Sequence, residues 1–204
     1  MMTDTVQAGG PPSHWRRHRP LYLLLAVCVA PVLASYTAYY FLPPAGRTNY
    51  GELVQPQRLL PALTLRRLDG STVDARKLRG NWVMLQVDGG DCDANCEKKL
   101  WQMRQVRLTT GRDAERVQRA WMITDDMPLA TRLMREFDGT VFLRARPDEL
   151  NTFLALPAVP EARLADHIWL IDPLGNLMLR WPKDADPNRM KKDLIRLLKA
   201  SGIG

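Results

Sequence analysis

Two cysteines, Cys92 and Cys96, stand four residues apart in the stretch VDGGDCDANCEKKLW, between a predicted buried strand and a predicted helix. Four residues make about one helical turn, so the thiols can face each other within the disulfide range of roughly 4.4–6.8 Å between Cα atoms. A helix N-terminus stabilises a thiolate at Cys92. The neighbouring Asp91, Asp93 and Glu97 act against a thiolate and favour a bound cation. The pattern predicts a redox pair or a soft-metal site, and the alternative is two buried, inert cysteines.

His167 is the other residue of this region whose type suits metal or proton chemistry. It opens the strand-like stretch HIWLI and is the only histidine after residue 18. It could be a third metal ligand or a proton-transfer partner of the cysteine pair, or else a half-buried strand histidine. The third cysteine, Cys28, lies in an apolar segment. We expect it to face lipid or to pack there, out of reach of Cys92.

Alternating apolar patterns predict the strands and helices that position these residues. Strands are expected at 63–68, 72–73, 82–87, 120–124, 140–143, 167–171 and 177–180, and helices at 93–108, 129–137, 147–154 and 187–199. The runs WVMLQV and AWMI are typical of buried central strands. This order of elements predicts an α/β, thioredoxin-like fold, in which a central mixed sheet is flanked by helices on both faces.

The N-terminal part of the chain has a different composition. Residues 21–42 carry no charge and are long enough to cross a hydrocarbon core of about 30 Å as a helix. Three arginines, Arg16, Arg17 and Arg19, precede this segment, so the positive-inside rule places the N-terminus in the cytoplasm. We predict a disordered cytoplasmic tail at 1–20, a signal anchor in the inner membrane at 21–42, a linker at 43–60 and a periplasmic domain at 61–204. A cleaved signal peptide is the alternative.

The net charge has to be located along the chain before it is interpreted. The 204 residues contain 29 Lys+Arg and 22 Asp+Glu, which gives a formal charge of +7. Residues 1–48 hold four Arg against one Asp, so +3 of the excess belongs to the membrane topology. The remaining bases are scattered without a nucleic-acid motif, and we expect no nucleic-acid partner. Three cysteines also exclude a disulfide-rich scaffold and a four-cysteine zinc or iron–sulfur site.

A family resemblance rests on the same residues. The C-x3-C pair after a buried strand, the later His167 just before a strand and the IDPLG hairpin together resemble the Sco/SenC family. The stretch HIWLIDPLGNLMLRWP is also similar to small membrane-anchored Sco-like proteins of proteobacteria. The resemblance covers about residues 55–200 and implies a membrane-anchored thioredoxin fold. It further implies that Cys92 and Cys96 are copper-binding or redox thiols and that His167 corresponds to the family's copper-ligand histidine.

Three functions follow from the residues and this resemblance. The favoured one is Cu(I) binding and delivery in cytochrome c oxidase assembly through Cys92, Cys96 and His167, because thiolate and imidazole suit Cu(I). The second is thiol–disulfide exchange at the same cysteine pair, without a cofactor. The third is a non-catalytic, oxidase-associated protein. The expected partner is a cytochrome c oxidase subunit or another copper or thiol protein.

Overall fold

The computed structural model describes residues 14–41, 49–154 and 163–203, and the chain divides into two compact units, Met1–Arg47 and Thr48–Gly204. In the first unit, helix α1 spans His14–Phe41. Its part His18–Phe41 has a mean hydropathy of 2.0 in its most apolar window, and every side chain there is exposed. This helix fits a single-pass membrane anchor by its length and composition.

The start of α1 corrects the predicted disordered tail in part. Residues 14–20 are helical, whereas residues 1–13 of the predicted tail lie outside the described residues. The glycine and proline signals that suggested disorder are concentrated at 9–12, and in the described part of the tail Pro20 is the one helix breaker, which α1 accommodates. The helix can therefore extend N-terminal to the apolar segment.

The described part of the second unit forms one eight-stranded mixed sheet in the order β1-β8-β7-β4-β5-β6-β2-β3. The neighbours β4, β5 and β6 are parallel, and the other pairs are antiparallel. The strands are β1 Glu52–Leu59, β2 Thr64–Arg67, β3 Thr72–Asp74, β4 Trp82–Asp88, β5 Val117–Ile123, β6 Thr140–Arg144, β7 Ile168–Ile171 and β8 Asn176–Trp181.

Helices cover both faces of this sheet, as predicted. They are α2 Ala94–Leu108, α3 Thr131–Glu136, α4 Pro147–Leu154 and α5 Pro187–Ala200. Side chains of β4 alternate between two apolar clusters, because successive residues of a strand point to opposite faces. Met84 packs in the cluster that contains residues of α2, α3 and α5, and Leu85 packs in the cluster that contains residues of α4. The predicted fold class is confirmed.

Strand β1 corrects the predicted linker at 43–60. Residues 43–48 lie outside the described residues, but Glu52–Leu59 pairs antiparallel with β8, and Val54 is buried. Pro56 suggested a linker because proline lacks an N–H for a ladder hydrogen bond. An edge strand tolerates such a residue, and the register shifts between Leu53 and Arg58, on either side of it.

The topology places a loop and a helix N-terminus at the end of a central strand. Strand β4 has neighbours on both sides and ends at Asp88, and α2 begins six residues later at Ala94. The N–H of Thr124, just after β5, donates to the Asp88 carbonyl oxygen at 3.0 Å, so the parallel strands end together. Both predicted site cysteines lie at this edge.

Candidate functional site

The local sequence DCDANC builds a capped helix start around the two cysteines. Asp93 is the N-cap of α2, and its Oδ1 accepts a hydrogen bond from the Cys96 N–H at 2.9 Å. This cap occupies one of the N–H groups that a helix start leaves unpaired. Cys92 and Cys96 form a disulfide with a Cα–Cα distance of 5.2 Å. The pairing expected from the four-residue spacing is therefore present.

The two sulfur-bearing residues differ in access to solvent. Cys92 is 9% exposed, whereas Cys96 is 1% exposed. A cavity of about 550 Å³ opens at the pair, and Asp88, Asp91 and Arg163 are among its lining residues. An external thiol that enters this cavity reaches Cys92 more easily than Cys96.

Gln86 of β4 contacts the buried half of the disulfide. Its side chain is 0% exposed, and its Nε2 donates a hydrogen bond to Cys96 Sγ at 3.1 Å. The carbonyl oxygen Oε1 of the same amide is buried and has no hydrogen-bond partner among the described residues. The amide is therefore satisfied on its nitrogen side by the disulfide and unsatisfied on its oxygen side.

Asp88 and Lys99 form a buried ion pair beside the disulfide. Lys99 Nζ lies 2.5 Å from Asp88 Oδ2 and also donates to the Ala165 carbonyl oxygen. Burial raises the pKa of Asp88 to about 6, although the ammonium group of Lys99 acts in the opposite direction. We call Gln86, Asp88, Cys92, Cys96 and Lys99 the cysteine cluster.

The loop between β4 and α2 is held against the loop that follows β5. The Gly90 N–H donates to Asp125 Oδ1 at 2.9 Å, and a Cβ atom on Gly90 would lie 2.5 Å from the Met127 carbonyl oxygen. Arg144 donates to the carbonyl oxygens of Asp125 and Met127, which fixes the second loop in turn. Glycine permits this close approach of two backbones, and the approach fixes the chain two residues before Cys92.

His167 lies immediately before β7 and is 9% exposed. Its Nδ1 is 2.9 Å from the Trp181 carbonyl oxygen, and its Nε2 is 3.3 Å from an Arg180 guanidinium nitrogen. Because a guanidinium group only donates, Nε2 accepts and Nδ1 carries the proton. Burial lowers the pKa of His167, and the charge of Arg180 acts in the same direction. These contacts describe a neutral core histidine with both ring nitrogens in use.

The residues around His167 continue as a chain of polar contacts. Arg180 donates to Glu52 Oε2 through Nε at 3.0 Å and through a terminal nitrogen at 2.7 Å. The indole N–H of Trp181 donates to Asp193 Oδ2 at 3.1 Å. We call Glu52, His167, Arg180, Trp181 and Asp193 the histidine cluster.

Asp193 also holds the start of the domain. Its two carboxylate oxygens accept from the backbone N–H groups of Tyr50, at 3.0 Å, and Gly51, at 2.7 Å. The residue is 2% exposed, so these contacts and the Trp181 indole replace its hydration. The histidine cluster thus joins α5, β8 and the chain that enters β1.

Comparison with known proteins places this domain in a family. Residues 82–201 match the family model described as "Transmembrane-like, thioredoxin-like, C-terminal domain". The chain belongs to this transmembrane-like, thioredoxin-like family. No curated protein matches the sequence.

Solved Sco structures share the fold of this family member. Arabidopsis thaliana ScoI with copper bound is 16% identical, with a TM-score of 0.55, and the match covers 71% of this chain and 100% of that chain. Yeast Sco1 is 14% identical, with a TM-score of 0.56 and coverages of 72% and 98%. BsSco, described as having a disulfide switch and as a member of the Sco family of cytochrome c oxidase assembly proteins, is 14% identical, with a TM-score of 0.54 and coverages of 71% and 94%. The resemblance to Sco proteins is confirmed for the fold.

The structure of this thioredoxin-like protein brings together two of the three predicted site residues. Cys92 and Cys96 are bonded, whereas His167 is not among the described residues that line their cavity. Over the ranges 14–41, 49–154 and 163–203, no group of three or more His, Cys, Asp or Glu side chains is placed to hold a metal ion. Cys28 is a free, exposed cysteine on α1. The three-residue copper site therefore stays a prediction.

Sequence reasoning missed three members of the cysteine cluster. Gln86 is the one polar residue in the run WVMLQV, and this departure from an apolar strand was a usable signal. Lys99 lies about one turn after Cys96, which places it near the same side of α2. Asp88 ends β4, but its pairing with Lys99 depends on how the helix packs on the sheet.

Proposed function

We propose that this protein is a membrane-anchored thiol–disulfide oxidoreductase with a Sco-like fold and that Cys92 and Cys96 are its redox pair. The observation that carries the proposal is the disulfide at the start of α2, which has its more accessible half at a cavity of about 550 Å³. The cavity gives an external thiol a route to the pair. The chemical context of a strand end, a polar loop and a helix N-terminus supports exchange rather than inert packing.

The exchange begins at Cys92. A thiolate of a dithiol substrate attacks Cys92 Sγ, a new S–S bond forms, and the bond between Cys92 and Cys96 breaks with its electron pair on Cys96 Sγ. The second thiolate of the substrate then attacks the substrate sulfur that is bonded to Cys92 in the mixed disulfide. This attack closes the substrate's disulfide and releases Cys92 as a thiolate. Two electrons pass from the substrate, which leaves as a disulfide, to the pair, which becomes a dithiol after proton uptake.

We further propose that the N-terminus is cytoplasmic and that the domain Thr48–Gly204 works in the periplasm. The three arginines before the apolar segment support this orientation. A cysteine-containing subunit of cytochrome c oxidase is the proposed partner. The description of BsSco as an oxidase assembly protein with a disulfide switch supports both the partner and the chemistry.

Copper carriage is a second candidate function, with Cu(I) as cargo. The support is the fold shared with Arabidopsis ScoI, whose structure contains copper. In the reduced protein, Cys92 and Cys96 would supply two thiolates, which are the soft ligands that Cu(I) prefers. His167 would complete a three-ligand set only after leaving Arg180 and turning toward the pair.

The redox proposal is tested with the full chain in detergent micelles, in a Cys28→Ser background that leaves the two site thiols. We expect dithiothreitol to open the disulfide without unfolding, as measured by mass-tagging of free thiols alongside circular dichroism. Cys92→Ser should leave Cys96 largely unreactive toward a thiol reagent, whereas Cys96→Ser should leave a reactive Cys92. A pair that opens only when the protein unfolds would contradict the proposal.

The copper candidate is tested by Cu(I) titration of the reduced chain against a chromophoric competitor. Stoichiometric binding that is lost in Cys92→Ala would support it, and an unchanged titration after removal of both cysteines would exclude it. His167→Ala then distinguishes a two-sulfur site from a three-ligand site. A chain that neither exchanges disulfides nor binds Cu(I) would leave the non-catalytic, oxidase-associated role.

A further inference from the structure

Gln86 is a fully buried amide in an apolar strand, and its nitrogen contacts the less accessible sulfur of the redox pair at 3.1 Å. Its oxygen has no partner in the described part of the chain. A buried acceptor without a hydrogen bond is unfavourable, so packing alone favours an apolar residue of similar size at this position. A glutamine at this position is favourable only if another state of the protein gives its amide stronger hydrogen bonds than the oxidised state does.

We propose that Gln86 is a positioning residue for the exchange reaction, which binds Cys96 as the disulfide opens; the inference rests on the proposed redox function. Attack on Cys92 Sγ by a thiolate leaves the electron pair of the broken bond on Cys96 Sγ. A hydrogen bond to a charged acceptor is about twice as strong as one to a neutral acceptor. The N–H of Gln86 therefore stabilises the departing sulfur of Cys96 more than it stabilises the disulfide.

Burial increases the difference between the stabilisation of the Cys96 thiolate and that of the disulfide by Gln86. Cys96 is 1% exposed, so water does not replace the Gln86 donor when the sulfur becomes negative. When Cys96 is later protonated, its S–H needs an acceptor, and rotation of the amide presents the unpartnered Oε1 of Gln86. One side chain thus provides a donor for the thiolate and an acceptor for the thiol.

Gln102 provides a matched control for the loss of a buried amide. It lies on α2, is 3% exposed, and its Nε2 donates to the Ala185 carbonyl oxygen at 2.7 Å rather than to a sulfur. Methionine replaces glutamine in each variant, since it has a similar length and no N–H donor. Gln86→Met and Gln102→Met therefore both remove a buried hydrogen bond, but only the first removes the contact with Cys96.

The experiment uses the full chain in detergent micelles, in the Cys28→Ser background. The rate at which dithiothreitol opens the disulfide is measured at pH 7, together with the dithiol–disulfide equilibrium in a dithiothreitol buffer. We expect Gln86→Met to slow opening at least about 10-fold and to shift the equilibrium toward the disulfide by about 3-fold or more. Gln102→Met should change neither quantity by more than about 2-fold, although it leaves the Ala185 carbonyl oxygen without this donor and lowers stability.

A second measurement uses the unaltered side chain and does not depend on the variants folding. In the 15N-glutamine-labelled chain, the Gln86 side-chain amide signal should move on reduction by more than the Gln102 signal does. Equal behaviour of the two variants, or an unmoved Gln86 signal on reduction, would overturn the role of Gln86. A parent chain whose folded disulfide does not open at all would overturn the redox function itself, so the two failures are distinguishable.

Discussion

The cysteine cluster and the histidine cluster are both buried polar groups of one domain, but their hydrogen bonding differs. In the histidine cluster, both nitrogens of His167 and both oxygens of Asp193 have partners. In the cysteine cluster, the Gln86 oxygen has no partner among the described residues, and Asp88 has a raised pKa beside a cavity. Hydrogen bonding of every polar atom indicates a role in holding the fold, whereas an unpartnered buried atom and a raised pKa beside the disulfide indicate groups that act in the reaction.

The largest expected effect tests whether the histidine cluster holds the fold. Asp193→Ala removes the acceptor of two backbone N–H groups and the Trp181 indole, so we expect a loss of about 3–5 kcal/mol in the free energy of unfolding. Urea unfolding of the full chain measures this loss. The neighbouring Lys192→Ala, which changes an exposed side chain, should have little effect. A folded Asp193→Ala variant with normal stability but slowed disulfide opening would reverse the assignment of the two clusters.

The next effect tests Asp88 through the pH dependence of stability. Because burial raises its pKa from 3.8 to about 6, the folded protein binds this proton more tightly than the unfolded chain does. Stability from this group is present below pH 4 and is lost as the pH rises through about 6. Between pH 4 and 7, the parent chain should therefore lose about 2.4 kcal/mol relative to Asp88→Asn.

This difference isolates Asp88 from the other acids of the chain. The ion pair with Lys99 exists only while Asp88 is charged, so its pH dependence belongs to the same titration, and Asp88→Asn removes both together. Asp126→Asn, at an exposed position, provides the control for the loss of one carboxylate and should keep the pH-dependent loss that Asp88 causes in the parent chain. A difference between the parent chain and Asp88→Asn that does not change from pH 4 to 7 would contradict the assignment.

The structural features that depend on local sequence patterns could be predicted from the sequence. The central strands and the four α-helices described in the second unit follow from apolar periodicity, and the disulfide follows from a four-residue spacing at a helix start. Strand β1 was not predicted, because Pro56 indicates a linker unless the strand is known to lie at the edge of the sheet. The hydrogen-bond partners of Gln86 and His167 were not predicted either. They come from α2 and β8, and a strand pattern does not show which side chain of another element lies opposite.

The third effect concerns His167. As a member of the histidine cluster, this residue should stabilise the fold and have little effect on the redox reaction. His167→Ala leaves the Trp181 carbonyl oxygen and Arg180 without this partner, so we expect a loss of about 2 kcal/mol in the free energy of unfolding. The rate of disulfide opening should stay within about 2-fold of the parent rate, since the residue is not among the described residues of the cavity. A Cu(I) affinity at least 10-fold weaker in a folded variant would instead show that His167 leaves its cluster to bind the metal.

The smallest effect tests how the backbone positions the cysteine cluster. In Gly90→Ala the new Cβ would lie 2.5 Å from the Met127 carbonyl oxygen, so the two loops must separate. We expect a loss of about 1–2 kcal/mol, typical of mild overpacking, and faster disulfide opening because Cys92 lies two residues along the displaced loop. Gly202→Ala is the matched control, since nothing lies within 4 Å of its Cβ position. If Gly90→Ala loses stability but opens at the parent rate, the loop supports the fold without limiting access to Cys92.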